Sequence, residues 1–497
     1  QPIPEPALSL LLAQASGRLV TTITRPLPTS MKRLPVYDAV VIGAGISGSN
    51  IASRLQAAGM KCLLLEAGHW FNRHTYPRNE RDGNSSLFWG GGMELNTSTT
   101  MAILRPKVVG GGSIVNQALL DEFDVSAFDS WRQQSGVDFL RPETFTPVYE
   151  QIRQDVPNEK LDHAFDNGNA RVFHEGLKAC GYETASLSRA QRGCRFEEGN
   201  DCIECLSGCR LDSKQSTPVA VLPKGFEHGL QLLADCEVTQ IVPGPDLQRI
   251  YAQHPVYGAL RFEAKRIVLA SGAIGNTKLL QGSNGFSDKL PMLGQNFWTH
   301  PQYMMFGVYD KPVQAWKGPM QSWKTADPRF RAQGFKLENV FAPPIAVSML
   351  MPSLGRELMR DMRKLDSLAS IEVAIRDATP GRVLRGNNGQ TIVHKELGAE
   401  DRKRVEAGKN VIRETFAKTG ATRVIDGKFG IGLHLMGGLC LNTDAKGGCI
   451  APDFRLHGYS GIWCADSSSF PTAPGINPSL TIMALARLAT KSILEGA

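Results

Sequence analysis

The chain has 497 residues, 42% of them hydrophobic and 21% charged, with a formal net charge of +7. That composition suits a globular protein with a large core and room for two or more domains, and the mild charge without long blocks of one sign argues against nucleic acid as a partner. No apolar run reaches the roughly 18 to 20 residues that span a bilayer, so no transmembrane helix is expected; residues 7–17 come nearest and lack the preceding positive charges of a secretory signal.

In chain order, residues 1–35 are rich in proline and read as an extension packed on the body. From residue 36 a buried-strand pattern, AVVIG, leads through a helix (49–58) to a second strand, KCLLLEAG, forming a βαβ unit of the Rossmann kind. A second glycine-rich stretch, RPKVVGGGSIVNQALL, occupies 105–120, and a cysteine-dense loop 194–209. RIVLASGAIGNTKLL (266–280) reads as another buried strand entering a helix. Between 296 and 426 the character changes: SIEVAIRD (370–377) and VLRGNNGQTIVHKEL (383–397) read as strands with an NNG turn, followed by an amphipathic helix from 399. This region is expected to roof the cofactor domain. No repeat of 20 to 50 residues is present.

The first βαβ turn carries GAGISG, with Gly43, Gly45 and Gly48 in GxGxxG spacing. Gly43 permits the tight turn, Gly45 lets the backbone approach a pyrophosphate, and Gly48 lets helix and strand pack closely. The helix N-terminus then presents unpaired N–H groups to the phosphates. Glu66, ending the second strand about 20 residues on, stands where an acid binds ribose hydroxyls. A glycine turn without function is the alternative, and the strand before, helix after and acid beyond weigh against it. The pattern specifies a dinucleotide without separating FAD from NAD.

Several further motifs, in order, are KVVGGGSIVN (107–116), VLASGAIGNTKLL (268–280), LGQNFWTHP (293–301), HLMGG (434–438) and ADSSSFPTAPGINPSLTIMALA (465–486). Together they resemble the glucose–methanol–choline oxidoreductases from residue 36 to the C-terminus. Within that family the glycine triplet and the loop CIECLSGCRLDSKQST most resemble the long-chain alcohol oxidase branch. The same loop is similar to that of the large subunits of membrane-linked sugar dehydrogenases, whose cysteines hold an iron–sulfur cluster.

The resemblance implies an α/β fold with a discontinuous Rossmann-type FAD domain (36–120, 191–295 and 427–497). It also implies an α+β substrate domain (121–190 and 296–426) on a roughly six-stranded antiparallel sheet flanked by helices. FAD contacts are implied at Gly43, Gly45, Ile46, Ser47, Gly48, Glu66 and Ala67 in the first unit, and at Val109, Gly111, Gly112, Ser113 and Asn116 in the second glycine stretch. Others are implied at Val238, Ala270, Ser271, Gly272, Asp466 and Pro478. Some members attach the flavin through a histidine just before that asparagine; Val115 stands here, so non-covalent FAD is expected.

Oxidising an alcohol requires a group near the hydroxyl that accepts its proton while the carbon gives a hydride to flavin N5. His434 matches the family's base and Asn477 its partner. Asn477 and Pro478 also read as N-cap and first residue of an apolar helix, whose positive end would face the flavin. Without the resemblance, a core histidine and a capping asparagine explain the pair as well. His300, His394 and His457 read as structural.

Cys194, Cys202, Cys205 and Cys209 follow C-x7-C-x2-C-x3-C spacing, which leaves open an iron–sulfur cluster, a structural zinc, a disulfide or reduced buried thiols. The expected function is FAD-dependent oxidation of an alcohol, lipophilic if the apolar FWTHPQYMMFGVY lines the pocket, with O2, a quinone or a cytochrome as electron acceptor. The alternatives are a sugar or polyol dehydrogenase with an iron–sulfur cluster and a small partner subunit, a lyase or decarboxylase on the same fold, and a cofactor-binding protein without catalysis. Exported, membrane-peripheral and cytoplasmic locations all stay open.

Overall fold

In a computed structural model describing residues 10–15, 18–23, 35–194 and 204–496, the N-terminal part runs β1 (Leu10–Ala15), β2 (Arg18–Ile23), β3 (Tyr37–Ile42), α1 (Ile46–Ala57), β4 (Cys62–Leu65) and β5 (Met101–Ile103). The middle supplies β6 (Gln231–Leu233), β7 (Gly258–Leu269), α2 (Gly272–Gln281), β8 (Phe297–Val308), β9 (Trp323–Thr325), β10 (Phe335–Asn339) and β11 (Leu368–Ile375). The rest gives α3 (Ala399–Lys418), β12 (Gly430–Gly437), β13 (Ile462–Cys464) and α4 (Ser479–Glu495). Of the expected proline-rich extension, only the backbone hairpin β1–β2 falls among the described residues, at the edge of the first sheet.

The first sheet has nine strands, with β2, β6, β4, β3, β7 and β13 in parallel pairing. Its central strands are continuous aliphatic runs because both faces are covered: α1 and α4 pack together on it, and Val40, Leu63 and Val268 are fully buried. β7 pairs β3 on one side and β13 on the other, setting Val268 beside Val41 and Trp463.

The second sheet also has nine strands, more than the expected six, and is antiparallel except where β12 meets β5. The additional strands, such as Glu94–Leu95, Thr184–Ser186 and Arg423–Asp426, run two to four residues, too short to show a period-two pattern. Glu94–Leu95, β5 and β12 come from spans expected in the cofactor domain, so the two sheets share chain segments. α3 lies across the outer face: a Cβ on its Gly408 would sit 2.3 Å from Val373, a closeness only glycine permits. The NNG turn closes a separate hairpin, Arg382–Arg385 with Thr391–His394.

That hairpin is tied to the sheet by a fully buried ion pair. Lys395 Nζ donates to Asp377 Oδ1 at 2.8 Å, and Thr299 N–H donates to the other carboxylate oxygen at 3.1 Å. Replacing Lys395 with Met strands the carboxylate. The expected loss is about 3–5 kcal/mol, read as a lower urea midpoint with an unchanged slope.

Candidate active site

The turn between β3 and α1 is shaped by what its glycines touch. Gly43 has φ +105, and a Cβ there would lie 2.4 Å from the Ala270 carbonyl oxygen; one on Gly48 would lie 1.9 Å from the Gly43 carbonyl oxygen. These two hold β3, α1 and the end of β7 in contact. Gly45 has nothing within 4 Å in the same direction. It caps α1 without any side-chain cap, leaving the helix's positive end turned toward open space. The second glycine turn arrives from the other side: a Cβ on Gly111 would sit 2.8 Å from Gly45 Cα, and Gly110 N–H donates to the Ala44 carbonyl at 2.8 Å. Two bare backbones and a helix N-terminus fit a pyrophosphate. Glu66 accepts from Ala44 N–H and Gly68 N–H, each at 2.8 Å, which leaves about two of its four lone-pair sites for other donors.

One cavity of about 760 Å³ is lined by this cradle and also by His434 and Asn477. His434 sits where β8 and β12 lose register: Trp298 faces Met436 and His300 faces Leu433, so two residues of β12 oppose Thr299 alone. His434 takes φ +53 in this bulge, a left-handed conformation uncommon for a non-glycine residue. The bulge turns its ring toward the cavity and against His300, with 2.9 Å between the two Nδ1 atoms. Gly475 N–H donates to His300 Nε2 at 2.9 Å. Burial drives both imidazoles toward the neutral form; His434 is lowered to about 3, with Lys336 adding to the effect, and His300 falls well below its ordinary value, with His434 the next contributor.

Asn477 does not cap α4. The helix starts at Ser479 with Pro478 in the cap position, and the Asn477 amide oxygen instead accepts from the Lys336 ammonium. An ammonium only donates, so the amide oxygen must face it, which leaves Nδ2 for the cavity. Lys336 also donates to Glu338 Oε1 at 2.9 Å.

Of the positions expected to touch the cofactor, all line this cavity except Gly48, Val109 and Ser113. Gly48 packs behind the turn, and Val109 is core at 1% exposure. The Ser113 hydroxyl donates back to Gly110 at 2.6 Å and accepts from Thr217 N–H. Asp466 lines the cavity while its Oδ2 accepts from Gly272 N–H at 2.6 Å and from Asn276 at 2.9 Å. Sequence reasoning missed Lys336, Glu338, Glu372, Gln302 and Gln321. For the three charged ones the signal was charge inside apolar strands: FKLEN alternates, and SIEVAI carries a lone acid.

The cysteine loop forms part of the wall through Leu206 and Ser207. Lys214 bolts it to the glycine stretch, donating to the carbonyls of Ile114, of Asn116 at 3.1 Å and of Cys205 at 2.7 Å. Cys205 and Cys209 are buried side by side, their thiols hydrogen-bonded, and Cys194 N–H lies against Glu159. Cys202 lies outside the described residues. Among the described residues no group of three or more His, Cys, Asp or Glu side chains is placed to hold a metal, so the iron–sulfur cluster that the spacing left open finds no support there.

The two-sheet architecture is shared with a solved oxidoreductase. Pyridoxine 4-oxidase from Mesorbium loti superposes with a TM-score of 0.69 over 92% of this chain and 98% of its own, at 16% identity. The chain belongs to the GMC oxidoreductases, matching the family's N-terminal part over residues 38–302 and its C-terminal part over 373–486. It is 27% identical over 482 residues to an uncharacterised GMC-type oxidoreductase of Mycobacterium tuberculosis, covering 90% of this chain and 74% of the other. A long-chain-alcohol oxidase of Arabidopsis thaliana is 24% identical over 519 residues, covering 92% of this chain and 67% of the other.

The buried histidine pair makes folding sensitive to acid. Its folded pKa values lie below the ordinary 6.5 or so, so below that pH the unfolded chain binds more protons and stability falls as pH drops toward 3. The urea midpoint is expected to fall between pH 7 and pH 4.5, and the fall to be shallower in His434→Asn.

Proposed function

We propose that this protein binds FAD non-covalently and oxidises the CH–OH group of an alcohol to a carbonyl, with His434 and Asn477 gripping the reacting oxygen. The observation that carries this reading is the single cavity shared by the glycine cradle and that pair. Gly45 and the first turn of α1 would take the pyrophosphate and Glu66 a ribose, while Asn116, Asp466 and Pro478 would supply wall around the rest. Val115 offers no nucleophilic side chain for a covalent link. Bound FAD supplies the hydride acceptor that alcohol oxidation needs. The similarity to a long-chain-alcohol oxidase supports the substrate class.

Asn477 acts through its amide N–H. With Lys336 holding the oxygen, Nδ2 is pre-aimed to steady negative charge growing on the substrate oxygen, and no reorientation is needed at the moment of reaction.

The part played by His434 follows from counting protons. Gly475 N–H occupies the His300 Nε2 lone pair, so neutral His300 carries its hydrogen on Nδ1 and donates it to His434 Nδ1. Neutral His434 then carries its own hydrogen on Nε2. This favours His434 as a second donor to the substrate oxygen over the base that its sequence position implies, and the hydroxyl proton then leaves through water to the Glu338 carboxylate, which lines the same cavity. A pKa of about 3 points the same way, since a general base works best near the operating pH.

Anaerobic addition of an alcohol to the purified yellow protein is expected to bleach the flavin. His434→Ala should slow bleaching by about 100-fold or more while the flavin stays bound. His434→Gln, which donates but accepts no proton at that strength, separates the roles: retention of most of the rate supports the donor, and a loss as large as in His434→Ala makes His434 the base. Protein that is colourless and refuses reconstitution with FAD would end the reading altogether.

A further inference from the structure

The cavity wall on the second sheet carries more polar groups than one hydroxyl needs. β10 and β11 set Glu338 directly opposite Glu372, a placement that like charges disfavour. Burial, and then Glu338 itself, pushes the Glu372 carboxyl well above the usual range, which favours its protonated form beside Glu338. Lys336, two residues along the same face of β10, pairs with Glu338 at 2.9 Å. Cation, carboxylate and neutral carboxyl together sum to no net charge.

Two amides extend the same wall. Gln302 and Gln321 are 2% and 3% exposed, both line the cavity, and Gln302 Oε1 and Gln321 Nε2 have no hydrogen-bond partner. Buried amide atoms are rarely left so, and here they adjoin the cavity. Apolar residues Met304, Phe341, Met349, Leu350, Phe429 and Ile431 also line the cavity.

We propose that Glu338, Glu372, Gln302 and Gln321 form a subsite for a second hydroxyl, and that the substrate is an uncharged amphiphile with another hydroxyl near the reacting carbinol and an apolar body along the greasy wall. This rests on the reading that a carbinol is oxidised here. A hydroxyl both donates and accepts, which matches a wall holding a carboxylate, a protonated carboxyl, an amide acceptor and an amide donor. An anionic group would meet Glu338, and an ammonium group would find that carboxylate already paired with Lys336. A plain alcohol leaves the polar wall unsatisfied, and sites built to hydrogen-bond a hydroxyl reject analogues that lack it.

The test compares 1,2-octanediol with 1-octanol. Binding is measured by calorimetry on the flavin-loaded enzyme after reduction with dithionite, where no turnover occurs; anaerobic bleaching is measured on the oxidised enzyme. The diol is expected to bind and to bleach at least about tenfold better. Glu372→Leu should shrink that preference below about threefold, and Glu372→Gln, uncharged and still donating and accepting, should restore it. Equal handling of the two compounds by the unmodified enzyme overturns the subsite and leaves alcohol oxidation standing. A diol that binds tightly and never bleaches the flavin overturns both, as does failure of both compounds to bind.

Discussion

Everything at this site depends on β7 lying between β3 and β13. Backbone hydrogen bonds through residues 264–269 hold the strand that leads into the glycine turn against the strand that leads into Asp466 and α4. Without that ladder the glycine turn and Asp466 would not share one cavity. Its strength is ordinary: short parallel strands, aliphatic on both faces, sealed by helices. Gly43 and Gly48 then press the three segments together at distances no Cβ would allow.

How far this was legible from the chain depended on whether a feature was written locally. The cradle was legible because turn, strand, helix and acid lie within one short stretch, and the cavity takes in nearly every residue that the family resemblance implied for it. Asn477 was half legible: it lines the cavity, but Asn-Pro-Ser reads as a cap, and only a lysine more than a hundred residues earlier diverts the side chain. The small strands of the second sheet, such as Arg423–Asp426, owe their conformation to β8 and not to their own residues. Glu338 and Glu372 could not have been paired in advance, because register between β10 and β11 is a tertiary fact. Lone charges in apolar strands were the only sign, and they sit where local rules give way to a site.

The two walls of the cavity do different electrostatic work. The cradle offers fixed backbone dipoles and a carboxylate with lone pairs to spare, which suits a large ligand carrying its own charge. The opposite wall favours neutral histidines, pairs one carboxylate with a lysine and favours the protonated form of the second carboxyl. Charge is thus settled in advance on the substrate side, so hydrogen-bond direction discriminates there more than ionic attraction does.

The order of the strands along the polypeptide also sets when the site comes into being. β3 leaves the ribosome roughly 420 residues ahead of β13, on the order of half a minute to a minute at ordinary elongation speeds. During that interval the glycine turn exists without Asp466, Asn477 or α4, and the early strands pair only with one another. Cofactor capture therefore waits for β13 and α4 to emerge, and a nascent chain stalled ahead of them would hold half a grip.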